Sequence, residues 1–307
     1  MRIAFLGNTP DSAIVLRRLA RAIGLDVAIV LTRTPRPGRR GGAPVPTPVA
    51  IEAEHHGLPL LQADRAASPD VLAALRTSAP DALVVVAFGE ILPAEILQVG
   101  PRGSVNLHFS LLPRWRGAAP VQRAILAGDD VTGVTTMLMD EGLDTGPILL
   151  QRATPIGPGH TRGTLGTGLS QIGADLLVET LGRFDEINPR PQDPSVATVA
   201  RKVTGAERRI DWSAPATAID RLVRALAPAP GATTTFGGTS LKVTAALPAA
   251  DEGEPGAVMG LSASDGVVVG AGTGSLRLTR VVPEGRAGMP ALDWAHGARV
   301  RPGERFT

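Results

Sequence analysis

Short apolar runs recur through the first half of the chain, and stretches with apolar positions three and four residues apart separate them. Residues 3–6, Ile-Ala-Phe-Leu, predict a buried strand. Gly7-Asn8-Thr9-Pro10 then leads into a helical pattern through Val15, Leu16, Leu19 and Ile23. Residues 27–31 predict a second strand, 51–56 a helix, and 69–75 another helix with Ser68 as N-cap. Residues 82–86 form a continuous apolar run, the pattern of a central parallel strand covered on both faces. Strands at 105–107 and 134–138 flank a helix at 118–126, and a long helix is predicted over 164–184.

Such alternation predicts an α/β fold: a Rossmann-like, mostly parallel sheet with its site at the strand carboxyl ends. Gly7 opens no G-x-G-x-x-G pattern and there is no G-x-x-x-x-G-K-[ST], so neither nucleotide-binding fingerprint is present. The pattern changes at Asn188-Pro189-Arg190-Pro191-Gln192-Asp193-Pro194, a proline-rich linker candidate. Beyond it come a helix at 216–226 and short strands at 233–236, 241–246, 257–261, 267–269 and 275–282, separated by Gly and Pro turns. Five or six short strands in about 100 residues predict a small β-barrel, an OB-like barrel being one option. The expected organisation is a catalytic domain over 1–188, a linker over 189–207 and the barrel over 208–307.

Composition narrows the class. With 307 residues, 43% hydrophobic and 20% charged, the chain reads as a globular protein with ample core. No apolar run approaches the roughly 20 residues of a membrane helix, and the amino-terminal run is too short for a signal peptide. No membrane association is expected, and the cytoplasm is the default location. The absence of cysteine removes disulfides, thiolate metal sites and cysteine nucleophiles. Net charge is only +2, but Lys202 and Lys242 are the only lysines, so almost every cation is an arginine. Arg33, Arg36, Arg39 and Arg40 fall between residues 33 and 48 with five prolines, three glycines and no acid. Such a segment predicts an exposed, mobile loop and a landing site for nucleic-acid phosphates.

The candidate chemistry lies between residues 106 and 144. Asn106-Leu107-His108 runs into Ser110-Leu111-Leu112-Pro113, and Asp144 closes Met139-Asp140-Glu141-Gly142-Leu143-Asp144. An amide can donate to a developing oxyanion, an imidazole can move a proton, and a carboxylate can orient and charge-tune the imidazole. Together they suit chemistry on a carbonyl carbon. His55, His56, His160 and His296 show no metal-ligand spacing, and no metal is expected.

Residues 106–122, NLHFSLLPRWRGAAPVQ, and 132–147, TGVTTMLMDEGLDTGP, resemble the methionyl-tRNA formyltransferase family. Ala87-Phe88-Gly89 with Leu92-Pro93, residues 161–165, and Arg209-Ile210-Asp211-Trp212 extend the resemblance over nearly the whole chain. The first two motifs are shared with glycinamide ribonucleotide and sugar-nucleotide formyltransferases; the arginine-rich loop, the 209–212 segment and the barrel favour the tRNA enzyme. The resemblance implies transfer of a formyl group from 10-formyltetrahydrofolate, released as tetrahydrofolate, to the α-amino group of methionyl initiator tRNA; a monomer is expected. It implies Asn106, His108 and Asp144 as catalytic residues. Ser110, Leu111, Leu112 and Pro113, with Phe88, Gly89 and Leu92, would contact folate. Arg36, Arg39 and Arg40 would engage tRNA, aided by the carboxy-terminal domain. Phe109 departs from the family pattern, which usually has a small residue there.

Overall fold

The computed structural model describes residues 1–38, 42–249, 251–262 and 266–307. Along the chain run β1 (Arg2–Gly7), α1 (Pro10–Ala20), β2 (Asp26–Thr32), α2 (Pro48–His55), β3 (Leu60–Gln62), α3 (Pro69–Thr77) and β4 (Ala82–Val86). α4 (Ala94–Leu97), β5 (Ser104–His108), α5 (Pro120–Ala127), β6 (Val131–Leu138), β7 (Ile148–Pro155) and α6 (Arg162–Gly182) follow. The rest consists of α7 (Ala216–Leu226), β8 (Ala232–Phe236), β9 (Thr239–Ala249), β10 (Val258–Ser262), β11 (Gly266–Gly270), β12 (Ser275–Pro283), β13 (Met289–Pro290) and α8 (Ala291–Ala298). One compact unit comprises Met1–Pro120, Val131–Pro155 and Gly166–Ala200; the other comprises Val121–Asp130, Ile156–Leu165 and Arg201–Thr307.

The first unit is built on a seven-stranded sheet of order β3-β2-β1-β4-β5-β6-β7. The first five strands pair in parallel, and the central β4 is buried along its whole length, as its apolar run predicts. β6 and β7 run antiparallel at the edge. Direction follows from the connections. β6 and β7 are joined directly as a hairpin, which makes them antiparallel neighbours.

α1 closes its own amino terminus. Thr9 and Ser12 form a capping box, with the Ser12 N–H donating to Thr9 Oγ1 at 3.2 Å. Helix N–H groups that would otherwise meet a pyrophosphate are thereby engaged. Ser68 caps α3, its Oγ accepting from the Val71 N–H.

The second unit holds a sheet of order β10-β11-β12-β9-β8, with β13 on β12. The carboxy-terminal tail pairs with both of its edges. Thr235 and Thr307 exchange backbone hydrogen bonds at 2.7 and 2.9 Å, and the Val258 N–H donates to the Glu304 carbonyl at 2.8 Å. The tail thus closes the antiparallel sheet into a barrel and leaves no open edge between β8 and β10. α7 buries Ile219, Val223 and Leu226 against it, an amphipathic spacing of three to four. Trp212, Phe236, Trp294 and Phe306 cluster in its core with centroid separations of 4.9–5.8 Å.

The expected linker is only partly a connector. Residues up to Ala200 belong to the first unit, where Arg190 exchanges backbone hydrogen bonds with Ile148 and Val199 bridges Arg116 in parallel. Its prolines block a helix but leave these N–H and C=O groups free to pair.

Candidate active site

Asn106 and His108 lie two residues apart on β5, so both leave the same face of the strand. Leu107 leaves the other face, towards α6, where a Cβ on Gly173 would come within 2.7 Å of the Leu107 side chain. Asn106 and His108 are buried, 8% and 5% exposed.

Asp144 arrives from the turn between β6 and β7, and local chemistry shapes that turn. Asp140 Oδ1 accepts from the Gly142 N–H at 3.0 Å and from the Thr145 hydroxyl at 2.7 Å. A Cβ on Gly146 would fall 1.9 Å from the Leu138 carbonyl oxygen, so only glycine fits there. Asp144 has φ +53°, a left-handed conformation that costs an L-residue roughly 1–2 kcal/mol.

The three polar groups converge. Asp144 Oδ2 accepts from the Gly117 N–H at 2.8 Å and lies 3.6 Å from His108 Nδ1. Asn106 Nδ2 donates to Asp144 Oδ1 at 3.4 Å. His108 Nε2 is 2.8 Å from the Trp115 carbonyl oxygen. A carbonyl only accepts, so Nε2 carries a proton and Nδ1 is the nitrogen left to exchange one. Trp115 has φ +63° in the turn that supplies this carbonyl. Among the described residues five non-glycines have positive φ. Ala79 and Arg299 terminate helices, whereas Ala87, Trp115 and Asp144 lie in the site segments. Backbone strain of this kind persists only where surrounding structure over-determines it.

Residues 110–113 are braced by β6 and β7. The Thr135 hydroxyl donates to the Ser110 carbonyl at 2.7 Å and accepts from the Leu112 N–H at 3.1 Å. Gln151 Nε2 donates to the Leu112 carbonyl at 2.9 Å. Ser110 is buried with its hydroxyl on the Arg114 carbonyl, and Leu112 packs against Met137 and Ile148. Leu111 and Pro113 remain half-buried. Phe109 is buried, 9% exposed.

Phe88 and Leu92 sit in the hydrophobic core beside Leu6, Leu31 and Leu83. Their contribution to any ligand therefore comes through the 87–92 backbone, which their apolar side chains anchor. The Asn8 amide donates to the Phe88 carbonyl, and Arg33 donates to the Gly89 carbonyl at 3.2 Å. Gly89 has φ +77°.

The arginine-rich segment is more ordered at its base than its composition predicts. Arg36 and Val45 exchange backbone hydrogen bonds at 3.3 and 2.9 Å, and the Gly38 N–H donates to the Gly42 carbonyl at 3.3 Å. This antiparallel pairing makes the expected open loop a hairpin at its base. Arg36 is exposed; Arg39 and Arg40 lie outside the described residues.

Gln192 is a site neighbour that sequence reasoning missed. Its Nε2 donates to the Asp144 carbonyl at 2.9 Å and to the Gly146 carbonyl at 2.7 Å, while its Oε1 accepts from Arg116 Nε at 2.9 Å. No motif or periodicity marks it inside a proline-rich stretch. Among the other histidines, His56 Nε2 lies 3.1 Å from Glu52, and His160 Nδ1 accepts from the Gly157 N–H at 2.9 Å. Among the described residues no group of three or more His, Asp or Glu side chains is placed to hold a metal ion, and no helix is long and apolar enough to cross a membrane.

The family model described as formyl transferase matches residues 1–181, and that of the formyl transferase carboxy-terminal domain matches 202–299. The methionyl-tRNA formyltransferase of Jannaschia sp. is 44% identical over 303 residues, covering 99% of each chain. That of Acidothermus cellulolyticus is 45% identical over 324 residues, covering all of both. Among solved structures, HypX from Aquifex aeolicus in complex with tetrahydrofolic acid superposes with a TM-score of 0.70 at 19% identity, over 99% of this chain and 48% of that one, a likeness of fold. Two matched domains and near-half identity along the full length leave one conclusion: the chain belongs to the methionyl-tRNA formyltransferase family.

Proposed function

We propose that this chain transfers the formyl group of 10-formyltetrahydrofolate to the α-amino group of methionine on initiator tRNA, with Asn106, His108 and Asp144 at the reacting centre. One observation carries the assignment. Among the described residues the Asn106 amide makes a single long hydrogen bond, so it keeps an N–H to offer beside a histidine–carboxylate pair.

The amine nitrogen attacks the formyl carbon, forming one C–N bond as the bond to the folate nitrogen breaks. The attacking amine loses a proton and the departing nitrogen gains one. Asn106 donates to the oxygen as negative charge develops, an interaction worth about 100- to 1000-fold in rate in comparable sites. His108, its Nε2 committed to Trp115, works through Nδ1. Asp144 complements the charge of the doubly protonated ring and is the acceptor for the amine proton, directly or through water.

A folate ring system needs apolar faces and backbone partners. Residues 87–92 and 110–113 offer both: half-buried Leu111 and Pro113, exposed Ile91, and a backbone bent at Ala87 and Gly89. In this reading Arg36, Arg39 and Arg40 bind phosphates of the acceptor arm, and the barrel unit adds tRNA contacts. The trio comes from a single chain, so a monomer suffices for catalysis, and the substrates are those of cytoplasmic translation initiation. The deciding experiment is formyl transfer to charged initiator tRNA, with uncharged and elongator tRNAs as controls. Absence of transfer to the charged initiator would overturn the reading.

A further inference from the structure

We propose that residues 190–200 form a positioning strap whose Gln192 and Thr198 set the geometry of Asp144 and His108. The inference rests on the formyl-transfer reading of the site. Both residues act through others: Gln192 touches the backbone of Asp144, and Thr198 touches the residue whose carbonyl holds His108.

The Gln192 amide is fully committed. Both Nε2 protons go to carbonyls of the Asp144 turn and Oε1 accepts from Arg116, so the side chain has one satisfied orientation. Thr198 Oγ1 accepts from the Trp115 N–H at 2.8 Å, its carbonyl accepts from the Arg116 N–H at 2.8 Å, and its own N–H donates to the Pro113 carbonyl. The strap ends on Ala200, which pairs with Arg116 and Ala119.

These contacts fall where the backbone is strained. Asp144 and Trp115 both occupy left-handed φ without being glycine, and the strap binds both. A relaxed Asp144 would draw its carboxylate from Nδ1; a relaxed Trp115 would withdraw the carbonyl that fixes the Nε2 proton. The strap thus constrains both edges of the imidazole from one short segment. Gly117, whose N–H meets Asp144, touches it as well: a Cβ there would lie 3.0 Å from the Ala200 carbonyl oxygen.

The test uses the full chain and near-isosteric changes. Gln192→Glu keeps shape and the Arg116 contact but sets an acceptor against two carbonyls. Thr198→Val removes the acceptor for Trp115, and Thr198→Ser restores it. In formyl transfer to charged initiator tRNA, kcat is expected to fall about 10- to 100-fold in Gln192→Glu and Thr198→Val, the scale of an ångström-level misplacement. KM for both substrates should move less than about threefold, because binding groups are untouched. Thr198→Ser should stay close to the parent. His108 ring nitrogen shifts and Gly117 amide exchange, read by NMR, should change in Thr198→Val and Gln192→Glu respectively. An unchanged kcat in either variant, or a Thr198→Ser as slow as Thr198→Val, overturns the strap. If Gln192→Glu does not fold, the Thr198 pair decides alone. A parent chain without transfer refutes the enzymatic reading instead, and the two NMR signatures then judge the strap on their own.

Discussion

The two units use buried residues differently. In the first, Asn106, His108, Ser110, Thr135 and Thr136 are all buried on or beside β5 and β6, and four non-glycine residues hold left-handed conformations, three of them in the site segments. In the second, the core is almost wholly apolar, four of the chain's nine Trp and Phe residues meet in it, and among the described residues Asp220, Thr234 and Ser275 are the buried polar ones. Each of the first two has a partner: Asp220 pairs with Arg224 at 2.8 Å, and Thr234 accepts from the Trp212 indole at 3.0 Å. The comparison separates stability from reactivity. Strained polar groups gathered in one place persist only where the surrounding structure fixes them, while the second unit, with few buried polar side chains among the described residues and the Ser275 hydroxyl unpartnered among them, is packed mainly for stability.

Substitutions can break this contrast, beginning with the largest effect. Trp212→Ala should destabilise the protein by about 3–5 kcal/mol in thermal or denaturant unfolding, through cavity formation and the loss of its contact with Phe306. His108 ring nitrogen shifts should not move; a shift would show the units to be less independent than the contrast holds. Asn106→Ala should reverse the pattern. kcat should fall by about two to three orders of magnitude, close to 2.7–4 kcal/mol in the barrier, with little change in melting temperature. Equal turnover by mutant and parent would remove the assigned role. Gly117→Ala should cost both properties. It forces an alanine to φ +112° against the Ala200 carbonyl and displaces the N–H that holds Asp144, so a stability loss of roughly 1–3 kcal/mol should accompany slower turnover.

Acid sharpens the comparison further. In the first unit the Arg17 guanidinium, hydrogen-bonded to Glu52 at 2.6 and 2.8 Å, holds that carboxyl below the ordinary glutamate range. In the second, Arg123 and Thr204 push Glu207 down to about 2. A carboxylate with a depressed folded-state pKa stabilises fully above its unfolded value, about 4.3, and loses that contribution as pH falls through the folded value. Melting temperature should therefore drop between pH 5 and about 2. Glu52→Gln and Glu207→Gln should each flatten that slope, with the smaller effect at the exposed Glu207. Smallest of all, Arg36→Ala should lower the salt dependence of tRNA binding by about one phosphate contact, and an unchanged slope would leave Arg36 a solvated surface residue.

Much of this architecture was legible along the chain. The run at 82–86 could only be a covered strand, the spacing in 216–226 could only be an amphipathic helix, and Ser68 read as the cap it is. β7 escaped because its outer half is exposed, and Arg152 and Thr154 interrupt the apolar alternation. The pairing at the base of the arginine-rich segment escaped because backbone hydrogen bonds carry it, and these leave no side-chain signature. Gln192 escaped for the same reason: an amide bonded to carbonyls 46 and 48 residues away has no local pattern.

From composition and spacing alone, the residue types available for chemistry and the period of the strongly patterned elements were already determined, because both are local properties of the chain. Which nitrogen of His108 is committed, which carbonyls hold the Asp144 turn, and how the tail at 304–307 closes the barrel were decided only by the tertiary structure. Each depends on a hydrogen bond between distant segments, and only the folded chain supplies its partner.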